Sequence, residues 1–445
     1  MYFKISKEKK MTSQVVKTDK QPTGLYVLFL TEMWERFSYY AMRGILVLYL
    51  IKVLQFSESH ASKLYGLVTS LIYLSPLLGG YIADKFWGQR RAIIVGGILI
   101  AMGQFAIASN PTLSFLYAGL FFLILGNGLF KPNISTIVGE LYTQNDPRRD
   151  AGFTIFYMGI NLGAFICNFV AGTLAEKIGF GWGFATAGFG MILGLAVFIW
   201  GKNKHLQGQG KKPKKLTKQE KLEHPNAPLT TAEKQRIAVI FIMAFFSIFF
   251  WSAFEQAGAS LTIFAEKFTD RVIFGWQMPT SWFQSVNPMF IILFAPIFSK
   301  MWLNLAKKGM EPSTPAKFVW AFMSLAFGFL ILVAASYVIQ TTGAKVGIFW
   351  LIFAYMFHTT GELCLSPVGL SLVTKLAPIR FASLLMGTWF LANALANFTA
   401  GFYSGYFGHI SNVQFFSWLV VMPVVGGLLL FSIKKYVIKW MNGIR

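Results

Sequence analysis

Long apolar stretches follow one another along the whole chain, each able to cross the ~30 Å hydrocarbon core of a bilayer. They lie near 24–52, 60–83, 92–110, 113–138, 151–174, 180–200, 236–264, 281–303, 317–339, 346–374, 380–407 and 414–436. Twelve such runs leave one reading, an all-α membrane protein with twelve transmembrane helices. The composition agrees, because 55% hydrophobic residues, 13% charged residues and 46 Phe exclude an ordinary soluble globule.

The formal net charge of +22 suggests a nucleic-acid partner until the basic residues are placed. Of the 40 Lys and Arg, 31 fall in tails and loops on the side of the N-terminus. Lys52, Lys63, Lys177, Lys267, Arg271 and Lys345 fall on the other side, and three lie within spans. This alternation is the positive-inside pattern. It accounts for the charge without nucleic acid and predicts a multi-pass membrane protein with both termini cytoplasmic. Residues 1–23 are polar and basic, which is unlike a cleavable signal peptide, and Met11 is an alternative start. Cys167 and Cys364 sit in separate spans as small packing residues and imply no disulfide framework.

Two groups of six spans are expected. Residues 1–23 form a tail, 24–200 the first bundle, 201–235 a basic linker, 236–436 the second bundle and 437–445 a second tail. The linker carries Lys211-Lys212-Pro213-Lys214-Lys215 and no apolar run, so it reads as a solvated connector.

The first span breaks the apolar rule. Glu32, Glu35, Arg36 and Arg43 interrupt it, and helical spacing puts positions 32, 35/36, 39/40 and 43 on one stripe. Ionisable groups at membrane depth are kept off lipid, so this stripe predicts a water-filled cavity between helices and therefore transport. The other ionisable residues deep in spans are Lys131, Glu255 and Glu362. With four acids against three bases, one carboxylate is left near a proton-loading threshold when every base is paired. Fixed structural ion pairs are the alternative, but such pairs are expensive in a bilayer.

Several longer motifs resemble known signatures. Gly80, Asp84, Gly88, Arg90 and Arg91 resemble the loop signature of the major facilitator superfamily. Glu32-x-x-Glu35-Arg36-Phe37-x-Tyr39-Tyr40 resembles the first-helix signature of its proton-dependent oligopeptide transporters. Phe156-Tyr157-Met158-Gly159-Ile160-Asn161-Leu162-Gly163-Ala164 and Gly361-Glu362-Leu363-Cys364-Leu365-Ser366-Pro367 resemble their fifth- and tenth-helix signatures. Phe130-Lys131-Pro132-Asn133, Phe254-Glu255-Gln256-Ala257-Gly258 and Phe283-Gln284-Ser285-Val286-Asn287-Pro288 match as well.

The resemblance, from about residue 24 to about 430, implies proton-coupled symport of di- and tripeptides by alternating access. Protons are then the coupling ion. No enzyme chemistry, cofactor or metal is implied, and the lipid-embedded monomer is the expected working unit. It also implies roles. Arg36 and Lys131 take the peptide carboxylate, for which an Arg fork and a Lys point charge are suited. Glu362, Asn161 and Asn287 take the ammonium. Tyr40 and Tyr73 reach the peptide backbone, and Trp251, Phe254 and Trp389 wall side-chain pockets. Glu32, Glu35, Arg36 and Glu255 handle protons. Arg43–Glu255 and Lys131–Glu362 are the expected salt bridges between bundles.

Two departures from the family pattern stand out. No helical hairpin fits in residues 201–235, and Gly66 stands where animal members have a histidine. His358, one turn before Glu362, reads as a packed histidine bonded to backbone. A family member tuned to another anion or zwitterion is one alternative. A drug–proton antiporter of the same fold is the other, although it would not need Arg36 and Lys131 together.

Overall fold

Each apolar stretch becomes one long helix in the computed structural model, which describes residues 20–143, 146, 148–211, 229–378 and 381–443. The helices are α1 (Thr23–Lys52), α2 (Glu58–Trp87), α3 (Gln89–Ser109), α4 (Leu113–Glu140), α5 (Arg149–Lys177) and α6 (Phe180–His205) in the first half. The second half holds α7 (Thr231–Phe268), α8 (Thr280–Lys307), α9 (Thr314–Thr342), α10 (Phe349–Leu376), α11 (Ala382–Ser404) and α12 (Asn412–Trp440). Among the described residues nine of them are long and apolar enough to cross a membrane by length and composition. Charge on the stripe keeps α1 out of that set. Short strands in the loops depart from the purely helical expectation. Thr269–Asp270 pairs with Val346–Gly347, and Val272–Ile273 with Trp276–Gln277.

Packing divides the helices into two six-helix bundles, the arrangement of the major facilitator superfamily. In the first, α3 packs on α4 and α6, α1 on α5 and α6, and α2 on α4. In the second, α9 packs on α10 and α12, and α7 on α11 and α12. The bundles meet along α2–α11 and α5–α8. An even number of crossings puts residues 20 and 443 on one face, here called the termini face.

Close helix crossings are made by glycine, as expected where packing rather than hydrophobicity drives association. A Cβ on Gly79 of α2 would lie 2.0 Å from the Gly128 carbonyl oxygen of α4, whereas one on its neighbour Gly80 would meet Pro132 at 3.8 Å. Between the bundles, a Cβ on Gly66 would lie 2.5 Å from Gly401 Cα. That contact leaves no room for an imidazole at position 66.

The linker is more ordered at its start than a free connector would be. Arg90 donates from its backbone to the Gly210 carbonyl at 2.9 Å and from Nε to the Gln209 carbonyl at 2.6 Å. Gly210 N–H donates to Glu140 Oε2 at 2.9 Å. Within the loop signature, Gln89 donates to Asp84 at 2.9 Å, and Gly88 adopts φ +74° directly under the Lys211 carbonyl. Lys211 is exposed, while Lys212, Lys214 and Lys215 lie outside the described residues. A capping box between Thr230 and Glu233 starts α7.

Replacing Gly79 by Leu should separate α2 from α4 at a cost of about 1–3 kcal/mol and lower the melting temperature of the detergent-purified protein. Gly80→Ala should melt like wild type. Equal melting of both variants would show that the Gly79 crossing is not tight.

Candidate functional site

The charged stripe of α1 faces the interior, with Glu32, Glu35, Arg36 and Arg43 all buried. Arg36 binds two carboxylates of its own helix, Glu32 at 3.1 Å and the adjacent Glu35. Glu32 Oε2, Glu35 Oε1 and Arg36 Nη2 remain buried without a hydrogen-bond partner among the described residues. The cluster therefore keeps both donor and acceptor capacity. Two turns further on, Arg43 pairs with Glu255 of α7 and joins the bundles.

Glu255 sits where α7 breaks. Residues Glu255–Gly258 form a 3₁₀ turn, and helix resumes at Ser260. The break is where a Cβ on Gly258 would collide with the Tyr65 hydroxyl of α2, at 1.8 Å. Irregular backbone at membrane depth needs internal partners. Gln284 supplies one, donating to the Ala257 carbonyl and to Thr262 Oγ1, the latter at 2.9 Å. Gln256 is held in turn by Ser260 and Ser404, which each donate to its Oε1 at 2.6 Å, and it donates to the Ala400 carbonyl at 3.1 Å.

Lys131 and Glu362 come from opposite bundles. Lys131 Nζ lies 4.3 Å from the centre of the Tyr73 ring, and Glu362 accepts from Asn287 Nδ2 at 2.8 Å. Asn287 also donates to Thr359 at 3.0 Å, and Asn161 donates to the Tyr157 carbonyl of its own helix at 3.0 Å. Among the described residues neither Lys131 nor Glu362 has an ion-pair partner, so the expected Lys131–Glu362 bridge is not formed in this conformation. Instead Lys131 lies over the Tyr73 ring and Glu362 is held by Asn287. Lys131 is nevertheless within electrostatic range of Arg36, Glu35 and Glu32, and Tyr40 within range of Arg36, Arg43, Glu255 and Glu362. Arg43 stands 5.7 Å from the Tyr40 ring centre.

The aromatic candidates divide. Trp251 keeps part of its surface, while Phe254 is buried and stacked on Phe250 at 5.9 Å. Trp389 is 3% exposed and packs against Gly369 of α10, so in this conformation it joins α11 to α10 instead of walling an open pocket. His358 is buried as expected, but its Nε2 has no hydrogen-bond partner among the described residues and the ring rests on Phe329 at 4.4 Å. Gly328 lets the imidazole come this close.

On the face opposite the termini a second set of charges joins the bundles, and it escaped the sequence reading. Lys52 pairs with Glu266 at 2.6 Å and Glu58 with Lys267. Glu176 of α5 accepts the backbone N–H groups of Thr280 and Ser281 at 2.8 Å each, a carboxylate at the N-terminal end of α8. Arg271 reaches Glu266 at 2.9 Å and Glu176 at 4.0 Å. The available signal was sequence content: on this face Glu58, Glu176, Glu266 and Asp270 flank the same spans as Lys52, Lys177, Lys267 and Arg271.

Fold and site together define a two-bundle secondary transporter with charged groups at the bundle interface. The POT family model matches residues 90–223 and 226–419. The peptide transporter YePEPT of Yersinia enterocolitica is 37% identical, with 86% of this chain and 88% of the relative covered. A di-/tripeptide transporter of Lactococcus lactis is 32% identical over 96% of this chain and 99% of its own length. The crystal structure of a peptide transporter POT in complex with sulfate superposes with a TM-score of 0.88 at 34% identity, covering 95% of this chain and 96% of that one. The chain belongs to the POT family, and it is a transporter and not an enzyme.

Gln284→Leu removes the amide that serves the broken turn and leaves the Ala257 carbonyl with weaker partners. The expected cost is about 1–3 kcal/mol, read as a lower melting temperature together with reduced transport. Unchanged melting would mean the break is supported elsewhere.

Proposed function

We propose that this chain takes up di- and tripeptides by proton-coupled symport with alternating access, in a bacterial cell membrane with both termini in the cytoplasm. The observation that carries the reading is the pair of opposite charges left without ionic partners, Lys131 and Glu362, on facing bundles. A buried charge without a partner is costly. A zwitterion satisfies both at once, and the ends are the charged groups that every di- and tripeptide shares. Arg36 and Lys131 take the carboxylate, Glu362 with Asn287 and Asn161 the ammonium, and Tyr40 and Tyr73 the backbone between them. Trp251, in edge contact with Phe254, bounds the side-chain space.

Proton coupling rests on the α1 cluster and on Arg43–Glu255. Protonation of Glu255 removes the attraction that ties α1 to α7, and Glu32 and Glu35 give a proton further sites beside Arg36. The ion pairs opposite the termini hold that face closed in this conformation. Lys131–Glu362 then forms in the alternate state, when the termini face closes and no peptide is bound. The monomer contains every group named here.

The test of the function is uptake of a labelled dipeptide into liposomes, which should be concentrative with an inward proton gradient and only equilibrative without one. A dipeptide with an amidated C-terminus should compete poorly, because buried Arg36 and half-buried Lys131 lose their anion at a cost of about 2–5 kcal/mol. Equal competition by amidated and free dipeptides would sink the end-clamp reading.

Glu255→Gln should abolish gradient-driven accumulation while leaving peptide counterflow, since exchange requires no proton cycle. Both are measured in the same liposomes. Wild-type accumulation by this variant would remove Glu255 from the coupling.

A further inference from the structure

A groove on the membrane-facing surface, at the level of the face opposite the termini, runs between the first turns of α2, the start of α4 and the end of α11. Its upper end is polar, with Ser57, Ser59, His60 and Lys63 in the first two turns of α2. Its lower end is apolar, formed by Leu67, Phe398 and Phe402, each exposed by more than a third. Four residues, or one turn of about 6 Å rise, separate Lys63 from Leu67, so cation and apolar wall succeed each other along the membrane normal. Among the described residues Lys63 has no ion-pair partner, while Glu58, the nearest acid along α2, is taken by Lys267. The Lys63 stem crosses onto α11, where a Cβ on Gly405 would lie 2.8 Å from its Cε.

Two other grooves on the helical surface provide a contrast. One is lined by Ile98, Met102, Phe105 and neighbouring apolar groups, the other by Phe245, Trp418, Val421 and their neighbours, and neither has an ionisable cation in its lining. They offer any acyl chain the same apolar contact. The α2–α11 groove adds two groups that can hold a phosphate, directly above a chain-sized apolar wall.

We propose that this groove is a selective phospholipid site, with the lipid phosphate held by Lys63 and His60 and one acyl chain laid along Leu67, Phe398 and Phe402. The occupant is a membrane lipid and not a free phosphate, because the apolar wall continues the cationic end toward the bilayer centre. Since α2 and α11 belong to different bundles, a lipid bound here touches both, and it contributes to the contact that holds this face closed.

The experiment is native mass spectrometry of the detergent-purified full chain titrated with phosphatidylglycerol. Wild type should retain one lipid that Lys63→Glu and the milder Lys63→Gln each weaken, the charge reversal by about fivefold or more. Leu67→Trp, which fills the apolar end and leaves Lys63 and His60 in place, should weaken retention as well. Lys345→Glu, on the same face and away from the groove, should retain lipid like wild type, and Lys63→Arg should restore most of the affinity. Retention unchanged by the Lys63 and Leu67 substitutions would overturn the proposal. So would equal weakening by Lys345→Glu, which indicates a diffuse surface charge effect, or displacement of the lipid by glycerophosphate at the same concentration, which indicates an anion site without a chain.

Discussion

Everything in this protein is arranged around the cost of keeping charge inside a low-dielectric slab. Glu32, Glu35, Arg36 and Arg43 stand on one helix, where removing any one partner strands another charge. The fold answers by turning α1 inward, placing it against α5 and α6, and setting Glu255 on α7 opposite Arg43. A hydrophobic core would have served stability as well, so the proposed function assigns these charges to exchange with protons and with the charged ends of a substrate.

The same logic explains the broken seventh helix. A continuous helix satisfies its own backbone, and interrupting it at Glu255–Gly258 requires outside donors, which Gln284, Thr262 and the Gln256 network provide. The break places Glu255 at the contact between bundles and lets α2 approach through Tyr65. The carboxylate of the bundle-joining ion pair and the break in the helix thus share four residues. Beyond them, the ion pairs of Lys52 and Arg271 with Glu266 and the carboxylate of Glu176 on the start of α8 tie the opposite face together.

Much of this was legible in the sequence, because its signals are local. Apolar run length gave the helices, loop charge suggested their orientation, and helical spacing put the acids and bases of α1 on one stripe. The pairing of Arg43 with Glu255, separated by 212 positions, came from motif resemblance, since nothing local links those residues. What escaped was long-range and geometric. Gln284 looks like any polar residue near a span end until the Ala257 carbonyl is seen to lack a helical partner. Lys131 and Glu362 look like a ready pair by charge, but in this conformation each meets another group, a tyrosine ring and an asparagine amide. Trp389 could be counted among pocket aromatics, yet burial against Gly369 depends on a glycine twenty residues away on another helix.

The account stands or falls on whether peptide movement carries protons through this site. The direct measurement loads proteoliposomes with a pH-sensitive dye at equal internal and external pH and then adds dipeptide outside. Acidification of the lumen that follows dipeptide entry, and that is absent with an end-blocked dipeptide, is the predicted result. Entry of labelled dipeptide with no change in luminal pH would contradict it.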